Sequence, residues 1–237
     1  GAAMEQEELA LLFQKYDLTS APVVDESGRL SGMVTIDDVV DVIQEENRED
    51  LLALSGVSSA DAFDTILSTF KSRAPWLAVN VLTAFVASMV ISFFADTIDQ
   101  IVALAVLMPV VVALGGNAGS QTLAVSVRAL AERELSGSTT RRAIFREGVA
   151  ALLNGLVFSL AVAVIAFLWF QEIRLSIVIA LAMLATFLWA GLSGIIIPLT
   201  LKRLGADPAV ASSVFLLTTV DIIGFLSFLG LATVILL

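Results

Sequence analysis

The chain has 237 residues, of which 58% are hydrophobic, and its mean hydropathy is +0.94; these values are typical of a polytopic membrane protein and exclude an ordinary soluble domain. Residues 1–70 carry 15 acidic and 3 basic side chains, whereas residues 71–237 carry 8 acidic and 10 basic ones. An acidic head, which would repel nucleic-acid phosphates, therefore precedes a mildly basic membrane body. With no Cys and no His, any metal site must consist of oxygen ligands, which favours Mg²⁺ or Ca²⁺ over transition metals and argues against a membrane-embedded enzyme.

The beginning of the chain predicts a small α/β unit. An amphipathic helix over residues 5–16 is followed by strands at residues 21–24 and 30–35, with a turn between them. Thr35 is expected to cap a helix over residues 38–44. A unit of this size is small for an independent core, so we interpret it as part of a larger domain.

An acidic connector over residues 45–57 leads into a helix over about residues 59–73, which we expect to end before Pro75. Seven carboxylates lie within fourteen residues at the start of this region: Asp37, Asp38, Asp41, Glu45, Glu46, Glu49 and Asp50. They form either a solvated acidic surface, the usual fate of a charge run, or a cation sensor whose mutual repulsion is relieved by bound divalent ions.

Five uncharged runs follow, and each is long enough to cross a bilayer, for which about 20 residues suffice. They comprise residues 76–95, 100–127, 148–171, 175–201 and 208–237. Nine Lys and Arg residues flank the runs on the side of the head and only Arg174 lies on the other side. This distribution predicts a cytoplasmic N-terminus and a C-terminus outside the cell.

The fifth run contains a single charged residue, Asp221. A carboxylate at that depth costs on the order of 3 kcal/mol or more unless it has a partner, and no other run supplies a Lys or Arg. A passing cation would be such a partner, and two copies of Asp221 across a two-fold axis would make a good site for hydrated Mg²⁺. The alternative is a protonated Asp221 that forms a hydrogen bond between helices.

The second run contains a glycine-rich polar segment from Gly115 to Thr122. Its glycines are expected to weaken or open the helix, so that Asn117 and Gln121 line an ion path; close helix packing with the amides as interhelical hydrogen bonds is the equal alternative. The candidate pore-lining residues of the second and fifth runs are Gly116, Asn117, Gly119, Gln121, Ser213, Leu217, Thr218 and Gly224.

Three motifs resemble the MgtE family of magnesium channels. They are Pro109-Val-Val-Val-Ala-Leu-Gly-Gly-Asn-Ala-Gly-Ser-Gln121, Leu204-Gly-Ala-Asp-Pro208 and Thr218-Thr-Val-Asp-Ile-Ile-Gly224. The head adds Gly32-Met-Val-Thr35-Ile-Asp-Asp38, which looks like the closing half of a CBS domain.

The resemblance implies an all-α polytopic membrane domain with five transmembrane helices, preceded by a small α/β CBS-domain fragment and a connecting helix, and assembled as a homodimer. The implied domains are a partial CBS domain (1–45), an acidic connector with a plug helix at about 58–74 (46–74), and a transmembrane channel domain (75–237). The implied location is the inner cell membrane.

The resemblance also implies a Mg²⁺-selective, Mg²⁺-gated channel whose pore lies at the dimer interface, with Asp221 binding the hydrated ion. By matching position, the cytosolic sensor would comprise Asp38, Asp41, Glu46, Glu49 and Asp50. A Na⁺- or H⁺-coupled divalent-cation exchanger on the same scaffold is the alternative. Half a CBS repeat cannot complete a nucleotide pocket, so nucleotide binding is not expected. Some relatives have Asn where this chain has Ser213, which leaves the fine ion selectivity open.

Overall fold

The structure, a computed structural model, describes residues 1, 3–57, 65–132, 135 and 137–237, without the side chains of Glu7, Asp50 and Ser138. The elements follow in the order α1 (Gln6–Tyr16), β1 (Ser20–Val24), β2 (Leu30–Thr35), α2 (Ile36–Leu54), α3 (Ile66–Ser92), α4 (Ala95–Gln100), α5 (Ala103–Ala131), α6 (Ser138–Phe170), α7 (Ile173–Arg203) and α8 (Pro208–Leu236).

The head is a helix–hairpin–helix unit, as the sequence predicts. Strands β1 and β2 pair antiparallel, with Ser20 opposite Thr35, and Gly28 takes the positive φ of +77° that the connecting turn requires. Phe13 of α1 and Val39 of α2 are almost fully buried and form the small core. Large apolar side chains on β2, among them Leu30 and Met33, remain exposed, as expected of an incomplete domain.

Helix α2 is longer than the sequence suggested. It continues through the acidic segment to Leu54 and ends where Gly56 takes a positive φ of +71°. The predicted helix over residues 38–44 is therefore too short, because residues 45–54 of the acidic connector are helical as well. No Gly or Pro interrupts that segment, and side chains such as Glu and Arg have good helix propensity despite their charge.

The first transmembrane helix also differs from its prediction. Helix α3 runs without a break from Ile66 through Pro75 to Ser92, although we expected one helix to end before Pro75 and another to begin after it. Pro75 removes one backbone hydrogen bond, to Lys71, and its ring crowds the carbonyl group of that residue, but the helix continues on both sides. The described part of the plug segment is thus the first turns of the first span, while residues 58–64 lie outside the described residues.

Among the described residues, five helices are long and apolar enough to cross a membrane: α3, α5, α6, α7 and α8. This finding confirms the predicted membrane domain with five transmembrane helices. Their contacts fix their relative directions. Gly115 lies against Thr186 and Gly194 against Thr122, so α5 and α7 are parallel, whereas Gly148 lies against Leu192 across the antiparallel pair α6 and α7. These directions place Arg128 of α5, Arg141 of α6 and Lys202 of α7 at the same side of the bundle, whereas Arg174, at the beginning of α7, lies at the other side.

Helix α7 lies at the centre of the bundle and packs against α5, α6 and α8. More than half of the residues in the most apolar 18-residue stretch of α7 are buried, compared with 6% in the corresponding stretch of the peripheral helix α3. The largest buried side chains on α7, including Ile179 and Met183, pack with Phe228 of α8 and Leu104 of α5. Such close packing of side chains provides dispersion energy and leaves little room for larger side chains at these positions.

The glycine-rich segment does not open its helix. Helix α5 is continuous through both Pro109 and the glycines, so the expectation of a broken helix is wrong. Gly115 and Gly119 are buried against Thr186 of α7 and Leu216 of α8, respectively, as the close-packing alternative predicts. Small residues allow neighbouring membrane helices to approach closely, and that packing outweighs the low helix propensity of glycine.

We expect Gly115→Ala to destabilise the bundle. Its new Cβ would overlap the Thr186 methyl group and lie 3.1 Å from Val220 Cγ1. The Thr186 hydroxyl group donates a hydrogen bond to Ala182 O at 2.8 Å, which holds the side chain in place. Overpacking costs about 1–3 kcal/mol, more than the gain of about 1 kcal/mol from helix propensity, so thermal unfolding in detergent should occur at a lower temperature.

Gly230→Ala is the matched control, because its Cβ would meet only Phe94 Cζ at 4.0 Å. This variant should retain or slightly raise the unfolding temperature. Equal unfolding temperatures for the two variants would contradict the close-packing role of Gly115.

Candidate functional site

Asp221 lies at the middle of α8 and is half-buried. Its carboxylate makes no hydrogen bond or ion pair with any residue that the structure describes. The alternative, a protonated Asp221 that forms a hydrogen bond between helices, therefore lacks a hydrogen-bond acceptor or donor among the described residues. A carboxylate at this depth is stable only where it faces protein or water and not lipid.

Asp221 borders the contact between α5 and α8. The two helices pack antiparallel, with Gly116 against Leu217 and Val112 against Gly224. Asp221 follows Leu217 by one helical turn, and Asn117 directly follows Gly116. The carboxylate and the amide therefore lie near the edge of the same contact, at the middle of both helices.

An open polar face runs along α5 beside this contact. Asn117, Ser120 and Gln121 are all exposed, and neither amide forms a hydrogen bond with the described part of the chain. The amides are thus not the interhelical hydrogen bonds that the packing alternative required. We call Asn117, Ser120, Gln121 and Asp221 the open polar face.

The other candidate pore-lining residues lie in different surroundings. Ser213 and Thr218 are half-buried, Leu217 is exposed, and the Thr218 hydroxyl group donates to Val214 O at 2.7 Å within α8. Gly116, Gly119 and Gly224 are buried between helices. These glycines lie beneath the open polar face and support it, because each permits a close helix contact.

The candidate sensor carboxylates are spread along α2. Asp38 accepts hydrogen bonds from the Thr35 backbone N–H and hydroxyl group, both at 2.9 Å. Asp41 and Glu49 are exposed and Glu46 is half-buried, while the side chain of Asp50 is not among those that the structure describes. Among the described residues no three carboxylates converge on one point. A divalent ion held by α2 would need further ligands from another surface.

Sequence reasoning missed Glu147, a carboxylate near the beginning of α6. Its side chain is only 17% exposed, and Arg146 Nη2 donates to it at 3.0 Å. The Thr122 hydroxyl group of α5 lies 3.5 Å from the other carboxylate oxygen. The adjacent Arg146 was the only signal in the sequence, because the approach of α5 depends on the tertiary packing of α6 on α7.

A second polar contact holds the same end of α5. Lys202 Nζ of α7 donates to the Leu130 carbonyl oxygen at 2.9 Å. The last carbonyl groups of a helix have no partner within it, and a cation there is favourable. This contact and the Glu147 contact fix the half of α5 that carries Gln121.

Helix α2 reaches this end of the bundle. Ala53 and Leu54 pack against a buried cluster that includes Ala209 and Leu216 of α8. Gly56 lies against Trp76 of α3. The head is thus connected by apolar contacts to the helices that carry the open polar face.

The described part of the chain contains five helices that can cross a membrane and, at the middle of one of them, a half-buried carboxylate without a partner among the described residues. These features define a multi-pass membrane protein with a polar intramembrane site. The chain belongs to the MgtE family: residues 108–231 match the family model described as a divalent cation transporter. Residues 4–45 match the CBS domain model.

Curated relatives bear the name magnesium transporter MgtE. The protein from Bacillus subtilis is 37% identical over 234 residues, covering 98% of this chain and 52% of the relative. The proteins from Thermus thermophilus and Enterococcus faecalis are 36% and 34% identical, over 98% and 97% of this chain and 52% and 51% of their own lengths. The chain thus spans about half the length of these relatives.

We expect the Thr35–Asp38 cap to weaken in acid. Hydrogen bonds from the Thr35 backbone N–H and hydroxyl group lower the pKa of Asp38 below its usual value of 3.8. The stabilisation of α2 is therefore complete above that value and decreases as the pH falls through the lower pKa of the folded state. An NMR titration of the Asp38 carboxyl group should show this low pKa.

Thr35→Val removes the hydroxyl donor but keeps the backbone N–H, so the pKa of Asp38 should rise part of the way towards its usual value. An unchanged titration in this variant would contradict the role of the hydroxyl group.

Proposed function

We propose that this chain forms the membrane domain of a magnesium transporter, and that it conducts Mg²⁺ as a channel. The observation that carries the proposal is Asp221: a mid-membrane carboxylate that has no partner among the described residues and borders a polar face. The names of the curated relatives support Mg²⁺ as the transported ion. Mg²⁺ retains its water shell and binds through one or two carboxylates plus waters, which suits an isolated Asp.

We further propose that two copies face each other across a two-fold axis, with the open polar faces lining the route between them. Facing lipid, Asn117, Gln121 and Asp221 would be costly to bury. Facing a second copy and water, they would supply two carboxylates and four amides to an ion with two positive charges. Cyclic two-fold assembly is the commonest symmetric arrangement.

In this proposal the basic side of the bundle faces the cytoplasm, as the distribution of Lys and Arg favours. The membrane potential contributes about 2.3 kcal/mol per elementary charge per 100 mV. A divalent cation therefore gains about twice that amount on entering a cell that is negative inside. Inward flux needs no coupled ion under these conditions, which favours a channel over the exchanger alternative.

Gating is proposed to act through α2. The proposed sensor consists of the carboxylates of Asp38, Asp41, Glu46, Glu49 and Asp50. Their negative charges repel one another until bound divalent ions neutralise them. One end of α2 belongs to the head, and the other packs through Leu54 against the α8 cluster. Neutralisation of the acidic surface would allow the heads to approach each other and shift the contact at Leu54.

We expect Asp221→Asn to abolish Mg²⁺ uptake while expression and assembly are retained. The substitution preserves shape and removes the charge that compensates for lost hydration. Uptake should be measured in proteoliposomes with an internal Mg²⁺-sensitive dye, with an imposed potential and no Na⁺ or H⁺ gradient. Uptake by the unsubstituted chain under these conditions supports the channel, whereas uptake only with a counter-ion gradient supports the exchanger.

Asp99→Asn is the matched control, because it removes the same charge from an exposed position of α4, outside the five spans. Its uptake should equal that of the unsubstituted chain. Normal uptake by Asp221→Asn would rule out the site assignment.

We expect neutralisation of the sensor to leave the channel open at high internal Mg²⁺. The test variant replaces Asp41, Glu46, Glu49 and Asp50 with the corresponding amides, which spares the cap made by Asp38. Uptake by the unsubstituted chain should fall as internal Mg²⁺ rises, and uptake by the variant should fall less.

A control of equal charge change replaces Glu5, Glu8, Asp17 and Glu26 with amides, since these acids lie outside α2. It should respond to internal Mg²⁺ as the unsubstituted chain does. Identical responses of the two variants would refute a sensor on α2.

A further inference from the structure

A groove of about 440 Å³ lies on the outer surface of the bundle, between α6 and α7. It is distinct from the open polar face, which lies along α5 and α8. One face of α6 supplies most of its lining, at helical spacings of three and four residues, and Leu192 of α7 supplies the rest. The lining residues on α6 are Arg141, Ile144, Phe145, Gly148, Val149 and Leu152.

The groove exists because position 148 lacks a side chain. A Cβ built on Gly148 would lie 3.4 Å from Leu192 Cδ2, so a larger side chain would project into the space. The walls are apolar apart from Arg141 at one end. A cleft of this composition is poorly suited to water and well suited to a hydrocarbon chain.

The length of the groove matches one leaflet of a membrane. From Arg141 to Leu152 the helix rises about 16 Å, at about 1.5 Å per residue. The hydrocarbon core of a bilayer is about 30 Å thick, so one leaflet contributes about 15 Å. Arg141 lies in the first turns of α6, at the basic side of the bundle, and Leu152 lies towards mid-depth.

A bound anion would stabilise the positive charge at the Arg141 end of the groove. Arg141 and Arg142 form no ion pair with the described residues, and the first turn of α6 contains no acidic side chain. Positive side chains at the beginning of a helix oppose its dipole, so this end is electrostatically unfavourable without a counter-charge. A phosphate group at Arg141 would satisfy both the side chain and the dipole.

We propose that this groove binds an anionic phospholipid, with its phosphate at Arg141 and one acyl chain along Gly148 and Leu152. The occupant is a lipid and not a free phosphate, because the apolar part of the site extends a leaflet's depth away from the charge. Basic pockets between membrane helices are known to select anionic headgroups in this way. The bound lipid would brace α6 against α7 close to the Glu147 contact with α5.

The test is native mass spectrometry of the purified chain, titrated in detergent with phosphatidylglycerol or phosphatidylcholine. The unsubstituted chain should retain phosphatidylglycerol preferentially. Arg141→Gln should weaken that retention about fivefold, the loss expected for one basic residue near a lipid headgroup. Arg142→Gln removes the same charge from the adjacent position, which does not line the groove, and should bind as the unsubstituted chain does.

A second variant tests the acyl-chain half of the site. Gly148→Leu should reduce phosphatidylglycerol retention while Arg141 is still present, and its unfolding temperature without lipid shows whether the bundle is intact. Glycerol phosphate, the soluble headgroup, should not displace the lipid. Displacement by this compound would mean a simple phosphate site and would overturn the proposal.

Three other results would also overturn it. These are equal retention of phosphatidylglycerol and phosphatidylcholine by the unsubstituted chain, equal weakening by Arg141→Gln and Arg142→Gln, and efficient disulfide cross-linking of two copies through Val149→Cys. The second would indicate diffuse attraction to the basic side, and the third would mean that another copy of the chain covers the groove. None of these measurements depends on ion transport, so the proposed function and this site can fail separately.

Discussion

A carboxylate at the middle of a membrane helix is costly to expose to lipid, and this cost is the constraint that decides which side of the α5–α8 pair can face the bilayer. Asp221 is half-buried at the edge of the α5–α8 contact and has no partner among the described side chains. The free energy of burying a charge is recovered only through water, protein or a counter-ion. The polar residues beside it extend the same requirement to a whole face of α5.

Close packing on the opposite side of α5 makes that face possible. Small residues at Gly115 and Gly119 bring α5 against α7 and α8, so the helix is held by contacts that involve none of its exposed amides. The polar contacts of Glu147 and Lys202 add to this support at one end. Because these contacts all lie behind the open polar face, its amides and carboxylate are left without a partner among the described residues.

The number of spans, the hairpin of the head and the position of Asp221 could be predicted from the sequence, because long apolar runs and turn residues are local signals. The course of α2 past residue 44 and of α3 through Pro75 could not, because a charge run and a proline resemble boundaries when tertiary support is unknown. The glycine run was ambiguous for the same reason: Gly115 opens a helix in water but tightens one against Thr186. Glu147 became visible only when α6, α7 and α5 were brought together.

The continuity of α2 gives the head a mechanical route to the membrane helices. A helix of 19 residues spans about 28 Å at about 1.5 Å per residue, and a single element transmits rotation better than a flexible connector would. Its beginning is fixed by the Thr35–Asp38 cap, and its end is fixed by the packing of Ala53 and Leu54 against α8. The acidic side chains lie between these two fixed points. A change in their charge would therefore act on a helix whose end packs against α8, the helix that carries Asp221. The proposed sensor and the proposed ion site at Asp221 could influence each other through this helix without direct contact.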